Sequence, residues 1–272
     1  MDGPHMPQRS ARLQGRVALV FGAGCVGPGW GNGNAAAVAY ARAGAAVVAV
    51  DRDLAAAEAT RALVEAEGGA CLAVAADVTQ SSDVEAAAAA TLAWRGRLDV
   101  LHNNVGYAGM GGPVELAEAD WDRIVALNLK GVFLACKHAL PAMLAAGRGV
   151  VTNISSVAAI RWTGYPYAAY YAAKAGVNQL TVGVALQYAG QGIRANAVMP
   201  GLMNTPLIHQ QIAGQYADSD AMVRARNAAC PMGRMGTGWD VANAAVFLAS
   251  DEAAYITGVC LPVDGGVSMR AG

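Results

Sequence analysis

The chain has 272 residues, enough for one large domain or two small ones whose core needs no cross-links. Hydrophobic residues make up 55% and charged residues 14%, which excludes an intrinsically disordered chain, and a formal net charge of -1 argues against nucleic acid as the main partner. No single apolar run reaches membrane-spanning length, and the five cysteines form no C-x-x-C pair, so the reading is of free thiols in a reducing cytoplasm, with no metal site and no membrane partner.

Residues 1–14 read as an N-terminal extension whose first six residues, MDGPHM, look vector-derived, and no apolar secretory signal is seen there. Beyond it the chain alternates. Residues 17–21 (VALVF) are a short apolar run ended by glycines, which predicts a buried strand. The Ala-rich stretch 34–43 predicts a helix stopped by Gly44. Strands are predicted at 46–50, 72–76, 98–101, 150–154, 195–199 and 259–263. Helices are predicted at 54–67, 83–94, 120–146, 168–189 and 240–248. Short, continuously apolar strands separated by helices indicate an α/β fold, a parallel sheet covered on both faces in one doubly wound domain spanning 15–272. The polar stretch at about 202–229 breaks the alternation and is a candidate substrate lid.

The first strand runs into a loop carrying Gly22, Gly24, Gly27, Gly29, Gly31 and Gly33 before the first helix. Glycines let backbone approach a pyrophosphate, and the helix start offers unpaired N–H groups and the positive end of its dipole. Asp51 ends the second strand, 18 residues after Gly33. A carboxylate there can accept both ribose hydroxyls of an adenosine and repels a 2′-phosphate, which favours NAD over NADP; Arg52 beside it could soften that discrimination.

Tyr170 and Lys174 are four apart in a predicted helix, so they leave the same face. A free phenol has a pKa near 10, and a nearby ammonium favours its ionised form. Such a pair is a general acid/base for neutral pH. Ser155 and Ser156 end the preceding strand, at the sheet edge where doubly wound folds hold their ligands.

From about Gly15 to Met269 these residues resemble a short-chain dehydrogenase/reductase. Asp77-Val78 matches the family's adenine-contacting Asp, and Asn103-Asn104-Val105-Gly106 its N-N-A-G, in which Asn104 and Gly106 touch the cofactor. Asn128, within N-L-K-G-V-F, matches the asparagine that holds a water of the proton relay. Ser156 matches the catalytic serine, Tyr170 and Lys174 the Y-x-x-x-K, and Pro200-Gly201-Leu202-Met203-Asn204-Thr205 the stretch that binds the nicotinamide half. Val263-Asp264-Gly265-Gly266 matches the last strand and turn. The resemblance implies a Rossmann-type, seven-stranded sheet in the order 3-2-1-4-5-6-7. It also implies a homotetramer built through the two long helices, and cofactor contacts from Gly22, Gly24, Gly31, Gly33, Asp51, Asp77, Val78, Asn104, Gly106, Tyr170, Lys174, Pro200, Gly201, Met203 and Thr205.

Four departures stand out. Phe21 occupies the family's Thr position, and the glycine loop is five residues longer, with Pro28 and Trp30 in the insertion; Trp30 could close over the cofactor or pack in the core. Val105 replaces the Ala of N-N-A-G. Ser156 lies 14 residues before Tyr170 where thirteen is commoner. Tyr167 lies seven before Lys174, the spacing of related enoyl reductases.

The expected reaction is an ordered hydride transfer between NAD(H) and a secondary alcohol or ketone. Tyr170 exchanges the hydroxyl proton, Lys174 holds the nicotinamide ribose and lowers the tyrosine pKa, Ser156 bonds the substrate oxygen, and Asn128 links Lys174 to solvent through water. Trp162, Tyr165, Tyr167, Met203, His209 and Tyr216 suggest an aromatic-lined pocket for a small, hydrophobic or ring-bearing substrate. Two other readings stay open: reduction of a conjugated C=C bond using Tyr167, and a non-catalytic dinucleotide-binding protein. His102, at a strand end, reads as structural.

Overall fold

The computed structural model describes residues 10–270; the six residues read as vector-derived lie outside them. Seven strands form one parallel sheet in the order β3-β2-β1-β4-β5-β6-β7. They are β1 (Val17–Phe21), β2 (Ala46–Asp51), β3 (Cys71–Ala75), β4 (Val100–Asn103), β5 (Gly149–Ile154), β6 (Ile193–Pro200) and β7 (Cys260–Val263). The helices are α1 (Asn32–Arg42), α2 (Leu54–Ala66), α3 (Ser81–Arg95), α4 (Glu118–Val125), α5 (Gly131–Ala145), α6 (Ala168–Tyr188), α7 (Pro206–Gln211), α8 (Ser219–Ala229) and α9 (Gly238–Ala249).

Side chains alternate across the central strands and build two cores. Ala18, Val20, Val47, Ala49 and Val100 face α1 and α9, where the alanines of α1 bring that helix close to the sheet. Leu19, Phe21, Val48, Val50 and Leu101 face α3, α5 and α6. Each fully buried Val or Leu adds about 1.5–3 kcal/mol of transfer free energy. Leu13, within the stretch read as an extension, is fully buried in the first core, and its N–H donates to the Ala43 carbonyl.

Two departures from the sequence reading have clear causes. The fourth strand runs two residues later than predicted because Asn103, polar and therefore read as loop, finds a partner for its amide N–H inside the sheet, although its Oδ1 is left without one. Its amide donates to Asn153 Oδ1 at 2.8 Å, and Asn153 donates to Thr181 Oγ1 at 2.8 Å. The long helix predicted at 120–146 is broken by a π-helical turn, Ala126–Lys130, around Asn128. Taken as one stretch, Glu118–Ala145 has 28 residues and a mean hydropathy of 1.2 in its most apolar window, enough by length and composition to cross a membrane. Half of that window is buried inside the fold.

Candidate active site

The sheet splits its crossovers between β1 and β4, and a cleft of about 230 Å³ opens at the strand carboxyl ends there. Gly24, Gly31, Gly33, Asn104, Gly106, Ser156, Tyr170, Lys174, Pro200, Gly201, Met203 and Thr205 all line it, so one wall gathers residues spread over most of the chain. Cys25, Val26, Tyr107, Ser155, Leu207, Ile208, Gln211 and Arg226 also line it. Apart from Ser155, which the sequence places beside Ser156 at the sheet edge, none of these carries a sequence signal as a site residue. Arg226 in particular is one of several polar residues on a short helix, and only its burial sets it apart.

The glycine end is a close backbone fit. A methyl on Gly33 would stand 1.8 Å from the Gly22 carbonyl oxygen, so the first turn of α1 can approach the loop only without a side chain. Gly22 has φ +71°, the left-handed region that favours glycine. Asn104 donates to the Gly22 carbonyl at 2.9 Å and pins the loop to β4. Gly24 donates to Asp51 Oδ2 at 3.0 Å, and a methyl on Gly24 would stand 2.7 Å from that oxygen. The Asp51 carboxylate is thus fixed beside the loop, off the end of β2.

These residues fit a nicotinamide dinucleotide: a close glycine turn at a helix start for the pyrophosphate, and a carboxylate one strand away for the ribose. The inserted segment leaves the loop at the cleft. Trp30 folds away onto Trp239, ring centroids 4.6 Å apart, and Gln210 of α7 donates to the Val26 carbonyl at 2.9 Å. Trp30 is therefore a packing residue.

Asp77 and Val78 stand apart from this cleft wall. The Asp77 carboxylate accepts from Thr79 N at 2.9 Å and Thr79 Oγ1 at 2.8 Å, and the Val78 side chain is buried in the core.

At the other end, Tyr170 and Lys174 share one face of α6, as their spacing predicts. The Ser156 hydroxyl accepts from Ala158 N at 3.1 Å, which leaves its proton for Tyr170, its hydrogen-bond partner. The short 3₁₀ turn Val157–Ala159 and the loop after it take up the extra residue between Ser156 and Tyr170. Ser155 turns the other way and donates to the Lys174 carbonyl at 3.1 Å.

Lys174 Nζ donates to the Ile154 carbonyl at 2.9 Å and lies 5.6 Å from the centre of the Tyr170 ring. Burial pushes its pKa down to about 8. The expected depression of the Tyr170 pKa is not what the structure gives. The phenol opens on the cleft but stands deep enough that burial raises its pKa, with the Ser156 hydrogen bond pulling the other way. The ammonium is engaged by a backbone carbonyl, and burial and Ser156 set the Tyr170 pKa.

Asn128 is fully buried behind the cleft and reaches it through the backbone of Tyr107. A methyl on Gly106 would crowd both Asn128 Oδ1, at 3.1 Å, and Lys174 Nζ, at 3.3 Å, so Gly106 holds open the space between them.

The expected aromatic lining is largely absent. Of the six residues named for it, only Met203 reaches the cleft wall. Tyr165 stacks on Tyr167 at 5.4 Å and its hydroxyl meets that of Tyr216 at 2.5 Å. Trp162 is exposed and packs on Tyr171. His209 joins Asn204 to Ser219 through its two ring nitrogens, at 3.0 and 2.9 Å. These partners lie outside the cleft wall, and the apolar lining comes from Val26, Tyr107, Ala108, Met203, Leu207 and Ile208.

A family model described as "Enoyl-(Acyl carrier protein) reductase" matches residues 28–268. The chain is 41% identical over 260 residues to 2-(S)-hydroxypropyl-CoM dehydrogenase 3 of Xanthobacter autotrophicus, covering 95% of this chain and 99% of that one. The chain belongs to the short-chain dehydrogenase/reductase family. A 3beta-hydroxysteroid dehydrogenase of Eggerthella lenta, another dehydrogenase, is 42% identical over 219 residues, 80% of this chain and 81% of that one. A solved short-chain dehydrogenase/reductase structure from Burkholderia xenovorans superposes with a TM-score of 0.91 at 50% identity, covering 97% of this chain and 100% of that one. As a short-chain dehydrogenase/reductase the protein is an oxidoreductase that uses a nicotinamide cofactor and acts on a small molecule.

Proposed function

We propose that the protein is an NAD(H)-dependent dehydrogenase that interconverts a secondary alcohol and its ketone. The observation that carries this reading is the meeting of Ser156, Tyr170 and Lys174 on the wall of the cleft that also holds the glycine loop. In this reading the glycine loop and the start of α1 hold the pyrophosphate, Asp51 holds the adenosine ribose, and Lys174 the nicotinamide ribose. When bound, the nicotinamide takes up or supplies the hydride at the substrate carbon.

The chain's own groups manage the proton. In the reducing direction Tyr170, kept protonated at neutral pH by its surroundings, gives its proton to the carbonyl oxygen. Ser156 donates to the same oxygen as negative charge develops there, an interaction strongest in the transition state. In the oxidising direction Tyr170 accepts the alcohol proton. Asn128 and Lys174 lie behind Tyr170 and line the route by which its proton is exchanged with solvent.

Asp51 supports NAD over NADP, because its carboxylate would face a 2′-phosphate. The apolar wall supports a substrate with a hydrophobic body. A homotetramer is part of the proposal. Phe133 on α5 and Leu186 on α6 are apolar and 49% and 73% exposed on the two helices through which the family is expected to assemble. Its proposed compartment is the cytoplasm, on the ground of free thiols.

A second reading, reduction of a conjugated C=C bond, is suggested by the description of the matching family model. It would need Tyr167 as proton donor. Tyr167 is buried outside the cleft wall, and burial pushes its pKa up to about 12, so the carbonyl reading has the better donor in Tyr170.

The test is a fluorescence screen for NADH formation from NAD across a panel of secondary alcohols, run beside Tyr170→Phe and Tyr167→Phe. Turnover that disappears with Tyr170→Phe supports the proposal. Turnover lost only with Tyr167→Phe would move it to C=C reduction, and tight NADH binding without turnover on any alcohol or ketone would leave a dinucleotide-binding protein.

A further inference from the structure

The cleft wall contains two cationic side chains, Lys174 and Arg226, and no carboxylate. Lys174 is accounted for by the chemistry above. Arg226, on α8, is not. It is only 7% exposed, a rare state for a guanidinium that lacks a counter-charge. Among the described residues, no Asp or Glu forms an ion pair with it. Asp264, the acid on the neighbouring turn, is engaged by Gly266 N at 2.9 Å and Ser268 N at 2.7 Å.

The Arg226 Nε donates to Met235 Sδ at 3.3 Å, which fixes the plane of the group and leaves the two η nitrogens as its outward donors. Their protein neighbour is the Tyr165 hydroxyl, a neutral group whose pKa burial and the Tyr216 hydroxyl raise, with the guanidinium pulling the other way. Position within the cleft is equally specific. Tyr165 stacks on Tyr167, and Tyr167 meets the Tyr170 ring edge-on at 6.0 Å, so Arg226 belongs to the Tyr170 side. The glycine loop, where a pyrophosphate would lie, is at the opposite end.

We propose that Arg226 is a specificity-determining residue that binds an anionic group of the substrate. On this inference the substrate is a secondary alcohol or ketone bearing a carboxylate, sulfonate or phosphate at the end remote from the reacting carbon. The three anions share the two-oxygen edge that a guanidinium pairs with through parallel hydrogen bonds. The apolar stretch of wall formed by Leu207, Ile208 and Met203 takes the carbon body between the two ends. Burial with no internal counter-charge leaves Arg226 at a cost in the cleft, and an incoming anion offsets that cost, so discrimination against neutral analogues follows. This inference rests on the redox reading only for the position of the reacting carbon; the anion site itself can be read without turnover.

Two measurements test it. The first is binding: propanesulfonate, pentanoate and propyl phosphate are titrated calorimetrically into the NADH-saturated enzyme. We expect saturable binding of at least one of them, weakened about 10- to 100-fold in Arg226→Gln and partly restored in Arg226→Lys, the factor that charge-assisted hydrogen bonds carry. Which of the three binds tightest identifies the anion.

The second is turnover of matched ketone pairs, acetoacetate, 4-oxopentanoate and 5-oxohexanoate, each beside its methyl ester. We expect the wild type to favour at least one acid, and the acid-to-ester ratio of kcat/KM to fall about 10- to 100-fold in Arg226→Gln. Circular dichroism and NADH affinity establish that each variant is folded. Should Arg226→Gln misfold, the Arg226→Lys and Tyr165→Phe variants carry the comparison. The inference is overturned if no anion binds the wild type, if binding is the same in the variants, or if Arg226→Gln weakens NADH instead, which would make the residue a cofactor ligand. Anion binding that depends on Arg226 without turnover of any ketone would uphold the site and overturn the dehydrogenase reading.

Discussion

The side-chain amide of Asn128 pairs with both backbone polar groups of Tyr107: its Oδ1 accepts from Tyr107 N at 3.2 Å and its Nδ2 donates to the Tyr107 carbonyl at 2.8 Å. The same Nδ2 donates to the Ile124 carbonyl at 2.8 Å, within the turn where the helix widens to π geometry. One buried side chain thus couples the wall of the cleft to the break between α4 and α5.

Replacing Asn128 should therefore damage the fold as well as catalysis. Asn128→Ala leaves the half-buried Tyr107 N–H and carbonyl without their side-chain partner, a cost of about 1–3 kcal/mol. We expect a lower urea midpoint, and a fall in kcat even under conditions where the variant is fully folded. An unchanged midpoint would show that water or a backbone shift replaces the amide.

Tyr170→Phe removes the proton donor while leaving the ring that packs against Tyr167. NADH affinity should hold, and kcat should fall roughly 10²- to 10⁴-fold. Because burial raises the Tyr170 pKa, ketone reduction should run well at neutral pH and alcohol oxidation should climb towards alkaline pH. A pH-independent oxidation rate would remove Tyr170 from the proton-transfer step.

Asp51→Ala should weaken NAD more than NADP, by roughly 10-fold or more for a charged hydrogen-bonding group. Steady-state KM values for the two cofactors measure this. An unchanged preference would mean that the carboxylate, already accepting from Gly24 N and Asp53 N, does not also serve the ribose.

His102 gives a stability prediction with a definite sign. Its ring is fully buried against the Tyr40 hydroxyl, at 3.0 Å, and burial pushes its pKa down to about 3 from the usual 6.5. Between these values the unfolded chain binds a proton that the folded chain refuses, so this contribution to stability is lost as pH falls from about 6.5 to about 3. Urea titrations across that range should show a steeper loss for wild type than for His102→Gln. Equal slopes would mean that His102 is protonated in the folded state.

Much of the architecture was legible because it depends on local pattern. Short apolar runs such as Val17–Phe21 can only be buried on both faces, and Gly44 ends its helix through a positive φ of 95°. Tyr170 and Lys174 were legible as a pair because helix geometry fixes which side chains share a face. What escaped depends on contacts between distant segments. The pattern at 120–146 predicts an unbroken helix because nothing local to Asn128 announces its partner Tyr107, 21 residues earlier. Residue type alone points the tyrosines at 165, 167 and 216 to the pocket, but Tyr165 and Tyr216, 51 residues apart, satisfy each other.

The sequence by itself determined the order of strands and helices, the glycine turn and the spacing of the acid–base pair, since each rests on backbone geometry within a few residues. Only the tertiary structure decided the electrostatics of the cleft. Whether a phenol is made more or less acidic, and whether an arginine is solvated or buried without a counter-charge, depends on what the fold stacks around it. Those neighbours are set by long-range packing.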